Sequence, residues 1–175
     1  IKMVVLETTS HGLMQERFGD ITFKVGVITN LASDHMEYHG NFKKYRQAKA
    51  RLIEKSEKMV LNELGGEYKY FKRRAGKKAV SFNRKNETRD ISYIFGKDGI
   101  RHKAEVLYKG KWVKIETRLL GEYNLENILA VSKVAELLKI KQEDFVKAVN
   151  EFGGVEGRLV IVSNKRGINA VVDFA

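Results

Sequence analysis

The stretch VGVITNLASDHMEYHGNF, Val25 to Phe42, decides the fold class. Its first part, Val25-Gly26-Val27-Ile28, is short, β-branched and nearly continuous, the pattern of a strand covered on both faces in a parallel sheet. Its middle, Thr29 to Gly40, gathers Asn30, Asp34, His35, Glu37 and His39 at that strand's carboxyl end. In open α/β sheets ligands sit outside the carboxyl ends of the strands. Met3-Val4-Val5-Leu6 repeats the pattern and runs into Glu7-Thr8-Thr9-Ser10-His11, and Val60-Leu61-Asn62 is a third such pair. Strand, polar cluster, strand, polar cluster, helix is the order of an α/β protein, with a mostly parallel sheet and flanking helices.

After Gly40, Asn41 is placed to cap a helix from Phe42 to about Glu57. The apolar stripe of that helix runs through Phe42, Tyr45, Ala48, Leu52 and Ile53. At helical periodicity Lys49 falls near the centre of this stripe, whereas Lys43, Lys44 and Lys55 fall elsewhere. A lysine on a packed face snorkels, finds a partner or changes its chemistry. Glu37 and His39 read as turn or surface residues.

From Lys77 to Arg118 the texture changes to alternation, in Ala79-Val80-Ser81-Phe82, Ile91 to Phe95, Ala104 to Tyr108 and Trp112 to Ile115. Gly96-Lys97-Asp98-Gly99 and Lys109-Gly110-Lys111 are turn signals between them. The pattern predicts a small antiparallel β subdomain over 77–118. Beyond Gly121, helices are expected from about Asn124 to Leu138 and from Glu143 to Asn150, ended by Gly153-Gly154.

The 175 residues, 43% hydrophobic, are enough for one domain with a subdomain. The absence of cysteine excludes disulfides, thiol catalysis and cysteine-ligated zinc, and suits a reducing cytoplasm. No apolar run has the length of a membrane span, and IKMVVLETTS reads as a strand entering a turn rather than a signal peptide. With 33 basic against 22 acidic residues the net charge is +11, which suits polyanions such as phosphorylated small molecules or nucleic acid. The block KYFKRRAGKK, Lys69 to Lys78, has no aromatic-interleaved repeat, so no specific nucleic-acid partner is expected from it. Met3 to Leu6 and Ala170 to Ala175 read as strands at the two ends of the chain, the expectation for a piece of a longer protein.

Four segments together resemble the ATP-dependent Mur ligases of bacterial cell-wall synthesis. They are Glu7 to Leu13, Thr29 to Gly40, Ala48 to Leu52, and Leu120 to Asn127, and the similarity is to the branch that adds the third residue of the peptidoglycan stem peptide. The resemblance implies a partial central ATPase domain, with ATP and Mg²⁺ as cofactors and a UDP-N-acetylmuramoyl dipeptide and a free amino acid as partners. It also implies cytoplasmic location and an acyl-phosphate mechanism. Under it, Glu7 and His35 match magnesium ligands, and Lys49 matches the lysine that the family carbamylates, a cation converted into an anionic oxygen donor. Thr9, Ser10, Gln15 and Arg17 match positions near the muramoyl substrate. Asn127 matches the asparagine that reads adenine, with Asn124 as its structural companion. Arg158 matches the arginine near the nucleotide phosphates, and Asp173 the acid that holds the ribose.

The chain departs from the family pattern at Glu122, where a basic residue is usual, and at Glu156, where proline is usual. It contains no G-x-x-x-x-G-K-[ST] and no Gly-Lys-Thr triplet, so the backbone cradle for ATP phosphates is missing from these residues. The resemblance places that loop, an N-terminal substrate domain and a C-terminal domain outside this chain, and implies that the isolated chain is inactive. Two rival readings are a non-catalytic Mur-like binding module and a basic nucleic-acid-binding domain.

Overall fold

In the computed structural model, which describes residues 3–31, 36–96, 99–162 and 170–173, the chain forms two compact units, Ile1–Phe82 and Asn83–Ala175. The first unit is built on parallel strands. After a short helix α1 (Ser10–Met14), strand β1 (Phe23–Ile28) leads through α2 (Met36–His39) and α3 (Phe42–Glu54) to β2 (Ser56–Asn62). Helix α4 (Tyr68–Ala75) and a 3₁₀ turn then return the chain to β3 (Ala79–Phe82). The strand order is β1-β2-β3, with Val27 opposite Val60 and Val60 opposite Val80 in parallel register. Parallel neighbours need a crossover, and here helices supply both. Met59, Val60 and Leu61 of the central strand are buried, as a strand covered on both faces requires.

Two expectations fail in this unit. Met3-Val4-Val5-Leu6 is not a strand: it has no ladder partner, and all four side chains are exposed. An extended apolar segment becomes a strand only by exchanging backbone hydrogen bonds with a neighbour. Among the described residues, no ladder places its carboxyl end beside that of β1. β1 is also not covered on both faces, because Val27 is exposed while Gly26 and Ile28 are buried. Gly26 has a packing reason: a Cβ there would lie 2.4 Å from Ser56 Oγ and 2.7 Å from Met59 Sδ.

A third correction concerns Ala79–Phe82. Its alternation suggested an antiparallel strand of the subdomain, yet it pairs parallel with β2 and closes the first sheet. Alternation reports a face, not a partner, and the intervening α4 makes this segment the end of a βαβ unit.

α3 forms as the sequence predicts. Asn41 Oδ1 accepts from Lys44 N at 2.9 Å, and Tyr45, Ala48, Leu52 and Ile53 are buried. The helix stops at Glu54, short of the predicted Glu57, because Ser56 turns into β2 and its hydroxyl donates to Leu52 O at 2.7 Å.

The second unit begins with a single helical turn, α5 (Arg84–Glu87), and an antiparallel sheet of β4 (Thr88–Gly96), β5 (Gly99–Tyr108) and β6 (Lys111–Thr117) in that order. Lys109 and Gly110 join β5 to β6 with φ of 48° and 75°, the paired positive angles that a tight type I′ hairpin demands. Helix α6 (Glu122–Leu137) buries Leu125, Ile128, Leu129 and Ala135, and α7 (Gln142–Glu151) buries Phe145 and Val149. Tyr108 stacks on Phe145 with centroids 4.6 Å apart, and its hydroxyl donates to Ile140 O at 2.8 Å. Lys133 on α6 is only 8% exposed and pairs with Glu87 at 2.5 Å. A buried ammonium without such a partner would be strongly destabilising. A last antiparallel pair, β7 (Val160–Val162) and β8 (Ala170–Val172), completes the described residues.

His102 on β5 is 1% exposed, lies 3.3 Å through Nδ1 from Leu119 O, and stacks on Tyr93. Burial holds its pKa below the ordinary histidine value of 6.5. As pH falls through that value the unfolded chain takes up the proton first, so stability is lost on acidification and the loss is absent at higher pH. Thermal unfolding followed against pH should show this slope in the wild-type protein. His102→Phe should flatten it below the ordinary histidine value, and an unchanged slope would exclude His102 as its source.

Candidate active site

The polar residues at the strand ends fall into two kinds. Some satisfy backbone groups. Asn30 Oδ1 accepts from Leu31 N at 2.8 Å and from Gly66 N at 2.9 Å, and Asn62 Oδ1 accepts from Leu64 N at 3.0 Å. These asparagines hold the loops after β1 and β2 together and are structural.

The other group surrounds α1. Thr9 caps that helix, its Oγ1 accepting from Gly12 N at 3.0 Å. Gln15 Nε2 lies 2.8 Å from His11 Nε2, and Arg17 Nε donates to Gln15 Oε1 at 2.8 Å. The His11 ring is stacked on Tyr38 at 3.7 Å between centroids. Thr9, Gln15 and Arg17 are exposed and close in sequence, but Ser10 is buried, 4% exposed, with its hydroxyl 2.9 Å from His39 Nε2. His39, expected in a turn or on the surface, is itself only 4% exposed and packs its ring against Tyr45.

Lys49 leaves α3 on its buried side. Its Nζ donates to Thr8 O at 3.4 Å, and the side chain is half-buried. Desolvation lowers its pKa below the ordinary lysine value, while the negative charge of Glu7 opposes that shift. The Lys49 amine is thus anchored to the backbone of the turn before α1, one residue after Glu7. His35, with Ala32, Ser33 and Asp34, lies outside the described residues. Among the described residues no three histidine, aspartate or glutamate side chains converge as a metal cluster. By donor chemistry, the exposed Glu7 carboxylate and an amine that carbamylation would turn into an oxygen donor are of the kind that suits a hard divalent cation.

In the second unit, Asn124 Nδ2 donates to Leu120 O at 2.7 Å, and Asn127 Nδ2 donates to Asn124 Oδ1 at 3.3 Å. Asn124 is the companion that orients Asn127, as the sequence suggested. Both line a cavity of about 370 Å³ whose other walls include Ile128, Val131, Phe145, Val149 and Phe152. An apolar slot with an amide at its rim suits a flat heteroaromatic ring. Arg158 and Asn124 border a smaller cleft of about 130 Å³. Asp173 Oδ1 accepts from Leu159 N at 3.2 Å, which ties the acid to the residue beside Arg158. Glu122, the acid where the family usually has a base, pairs with Arg84 at 2.6 Å and sits in the first turn of α6.

The basic block is largely consumed locally. Lys78 Nζ donates to Ser56 O at 2.8 Å and to Ile53 O at 3.2 Å, Lys72 Nζ donates to Ser81 Oγ at 3.2 Å, and Arg74 pairs with Glu54. These three groups of the block bind their own unit.

A parallel βαβ sheet with its polar cluster at the strand ends, followed by an antiparallel lobe and an amide-rimmed apolar slot, defines an α/β ligand-handling domain. Residues 1–135 match the family model described as the Mur ligase middle domain, and the chain belongs to that family. The UDP-N-acetylmuramoyl-L-alanyl-D-glutamate–2,6-diaminopimelate ligase of Lawsonia intracellularis is 33% identical over 99% of this chain and 38% of its own length. The UDP-N-acetylmuramyl-tripeptide synthetase 2 of Oceanobacillus iheyensis is 30% identical over 98% of this chain and 37% of its own length. The chain therefore spans a little over a third of these relatives. Among solved structures, a UDP-N-acetylmuramoyl-L-alanyl-D-glutamate–2,6-diaminopimelate ligase is 27% identical with a TM-score of 0.72, covering 91% of this chain and 34% of that one. MurF from Acinetobacter baumannii shares the fold with a TM-score of 0.73 at 18% identity, over 86% of this chain and 33% of its own. Among the described residues no helix is long and apolar enough to cross a membrane.

Proposed function

We propose that this chain is the larger part of the central domain of an ATP-dependent ligase of peptidoglycan precursor synthesis. The ligase adds an amino acid to UDP-N-acetylmuramoyl-L-alanyl-D-glutamate in the cytoplasm. The observation that carries this reading is the half-buried Lys49 amine, which leaves the packed side of α3 and donates to Thr8 O.

The chemistry required is demanding. A carboxylate is a poor acyl donor, so the D-glutamyl carboxylate of the substrate is first phosphorylated by ATP. The amino group of the incoming amino acid attacks the carbonyl carbon, the C–O bond to phosphate breaks, and the ammonium proton passes to solvent or a base. Mg²⁺, when bound by Glu7, His35 and carbamylated Lys49, would neutralise charge on the phosphoryl oxygens. Lys49 must first react as a free base: its nitrogen attacks the carbon of CO₂ and loses a proton, leaving an anionic carbamate. Desolvation favours the neutral amine that this step needs. Thr9, Ser10, Gln15 and Arg17 are assigned to the UDP-linked substrate, of which buried Ser10 acts through the turn it anchors. Arg17 offers a guanidinium to phosphate or carboxylate. Asn127 is assigned to adenine, Arg158 to the nucleotide phosphates and Asp173 to the ribose.

The test is to assay the intact protein with ATP, Mg²⁺, the UDP-linked dipeptide and a panel of free amino acids, following phosphate release and amide formation together. Amide formation with one amino acid supports the ligase. Substrate binding with no phosphate release would favour the non-catalytic binding module. In the same protein, Asn127→Ala should weaken ATP binding by up to about tenfold, the upper end of what one lost hydrogen bond is worth. Unchanged ATP titration in that variant would remove Asn127 from the nucleotide site.

A further inference from the structure

The hydrogen bond between Ser10 and His39 joins residues 29 apart in sequence and lies in the interior, with both side chains 4% exposed. The His39 ring is fixed on two sides, edge-on to Tyr38 at 5.1 Å and tilted against Tyr45 at 5.1 Å. Tyr45 is buried on α3, one turn ahead of Lys49. Ser10 opens α1 directly after Thr8 and Thr9, and Thr8 O is the acceptor for the Lys49 amine. The bond therefore links the turn that receives Lys49 to the last residue of α2, whose ring packs on Tyr45 of the helix that delivers Lys49. We propose that Ser10 and His39 are positioning residues: their buried hydrogen bond clamps the Thr8-Thr9 turn onto α3 and sets the location of the Lys49 amine. The clamp is a statement about geometry; only its importance for catalysis rests on the ligase reading.

The rest of α1 has its own attachments. Leu13 is fully buried, and Arg51 Nη1 donates to Leu13 O at 3.3 Å and to Met14 O at 3.1 Å. Loss of the clamp should therefore release the preceding turn while α1 stays docked. Glutamine at position 39 can place an amide nitrogen or oxygen near the position of Nε2, whereas leucine keeps bulk without a polar atom.

The experiment is proton NMR on the 175-residue chain, with neither ATP, metal nor substrate present, so its result is independent of the ligase assay. In the wild-type chain, cross-relaxation is expected between the Lys49 ε-methylene and Thr8. It should be lost in Ser10→Ala and in His39→Leu and retained in His39→Gln, while contacts between Asn41 and Lys44 at the α3 cap persist in all. Retention of the Lys49–Thr8 contact in Ser10→Ala would overturn the clamp. So would its equal loss in His39→Gln and His39→Leu, which would assign the effect to ring packing. If His39→Leu does not fold, Ser10→Ala, the smaller change, decides the matter.

Discussion

In the ligase proposed for the intact protein, Lys49→Met should lower turnover by about a hundredfold, the upper end of the scale for a metal site that loses a supporting group. Methionine keeps an unbranched apolar stem of similar length, so it preserves what Lys49 contributes by packing in α3. It cannot form a carbamate. The structure supplies the geometry for this distinction, because the half-buried amine donates to Thr8 O rather than standing in open solvent. Lys49→Ala should be equally impaired, and high bicarbonate should not restore it, since no amine remains to react. A short carboxylic acid in solution should partly restore the alanine variant by refilling the vacant space with an oxygen donor. Lys49→Glu should recover little, because its carboxylate stops short of the carbamate position. Steady-state phosphate release decides among these outcomes, and full activity in Lys49→Met would refute the carbamate role.

The second large effect concerns the 175-residue chain by itself. Incubated with ATP, Mg²⁺ and the UDP-linked dipeptide, it should neither release phosphate nor form an amide. The polyanionic transferring group depends on preorganised backbone N–H groups and a lysine, and removing even one such donor typically costs about 10²–10³ in rate. These residues include no Gly-Lys-Thr triplet to provide them. Malachite-green detection of phosphate, with mass spectrometry of the nucleotide-linked product, measures both steps. Turnover at an ordinary enzymatic rate would mean that other residues of this chain hold the phosphates.

Much of the local structure was legible. α3, with its Asn41 cap and inward Lys49, follows from helical periodicity and one side-chain hydrogen bond, and both depend on residues within a few positions. The Lys109-Gly110 hairpin follows from two residues with positive φ, and the buried faces of α6 and α7 from apolar spacing. The Asn124–Asn127 pair is three residues apart on one helix, so its geometry was implicit in the sequence.

What the sequence determined by itself was therefore the helices α3, α6 and α7, the Lys109-Gly110 turn and the family. Only the tertiary structure decided which strands pair and which polar groups are buried. Ala79–Phe82 joined β2 in parallel, and Met3–Leu6 stayed outside any ladder, although both read as strands. His39, His102 and Lys133 carry polar groups and were not marked for the interior, yet each is buried beside a partner distant in sequence, Ser10, Leu119 O and Glu87 respectively. The physical reason is the same in each case. Periodicity and capping are set by neighbours along the chain, whereas strand pairing and the burial of a polar group depend on a hydrogen-bonding partner that folding brings from elsewhere.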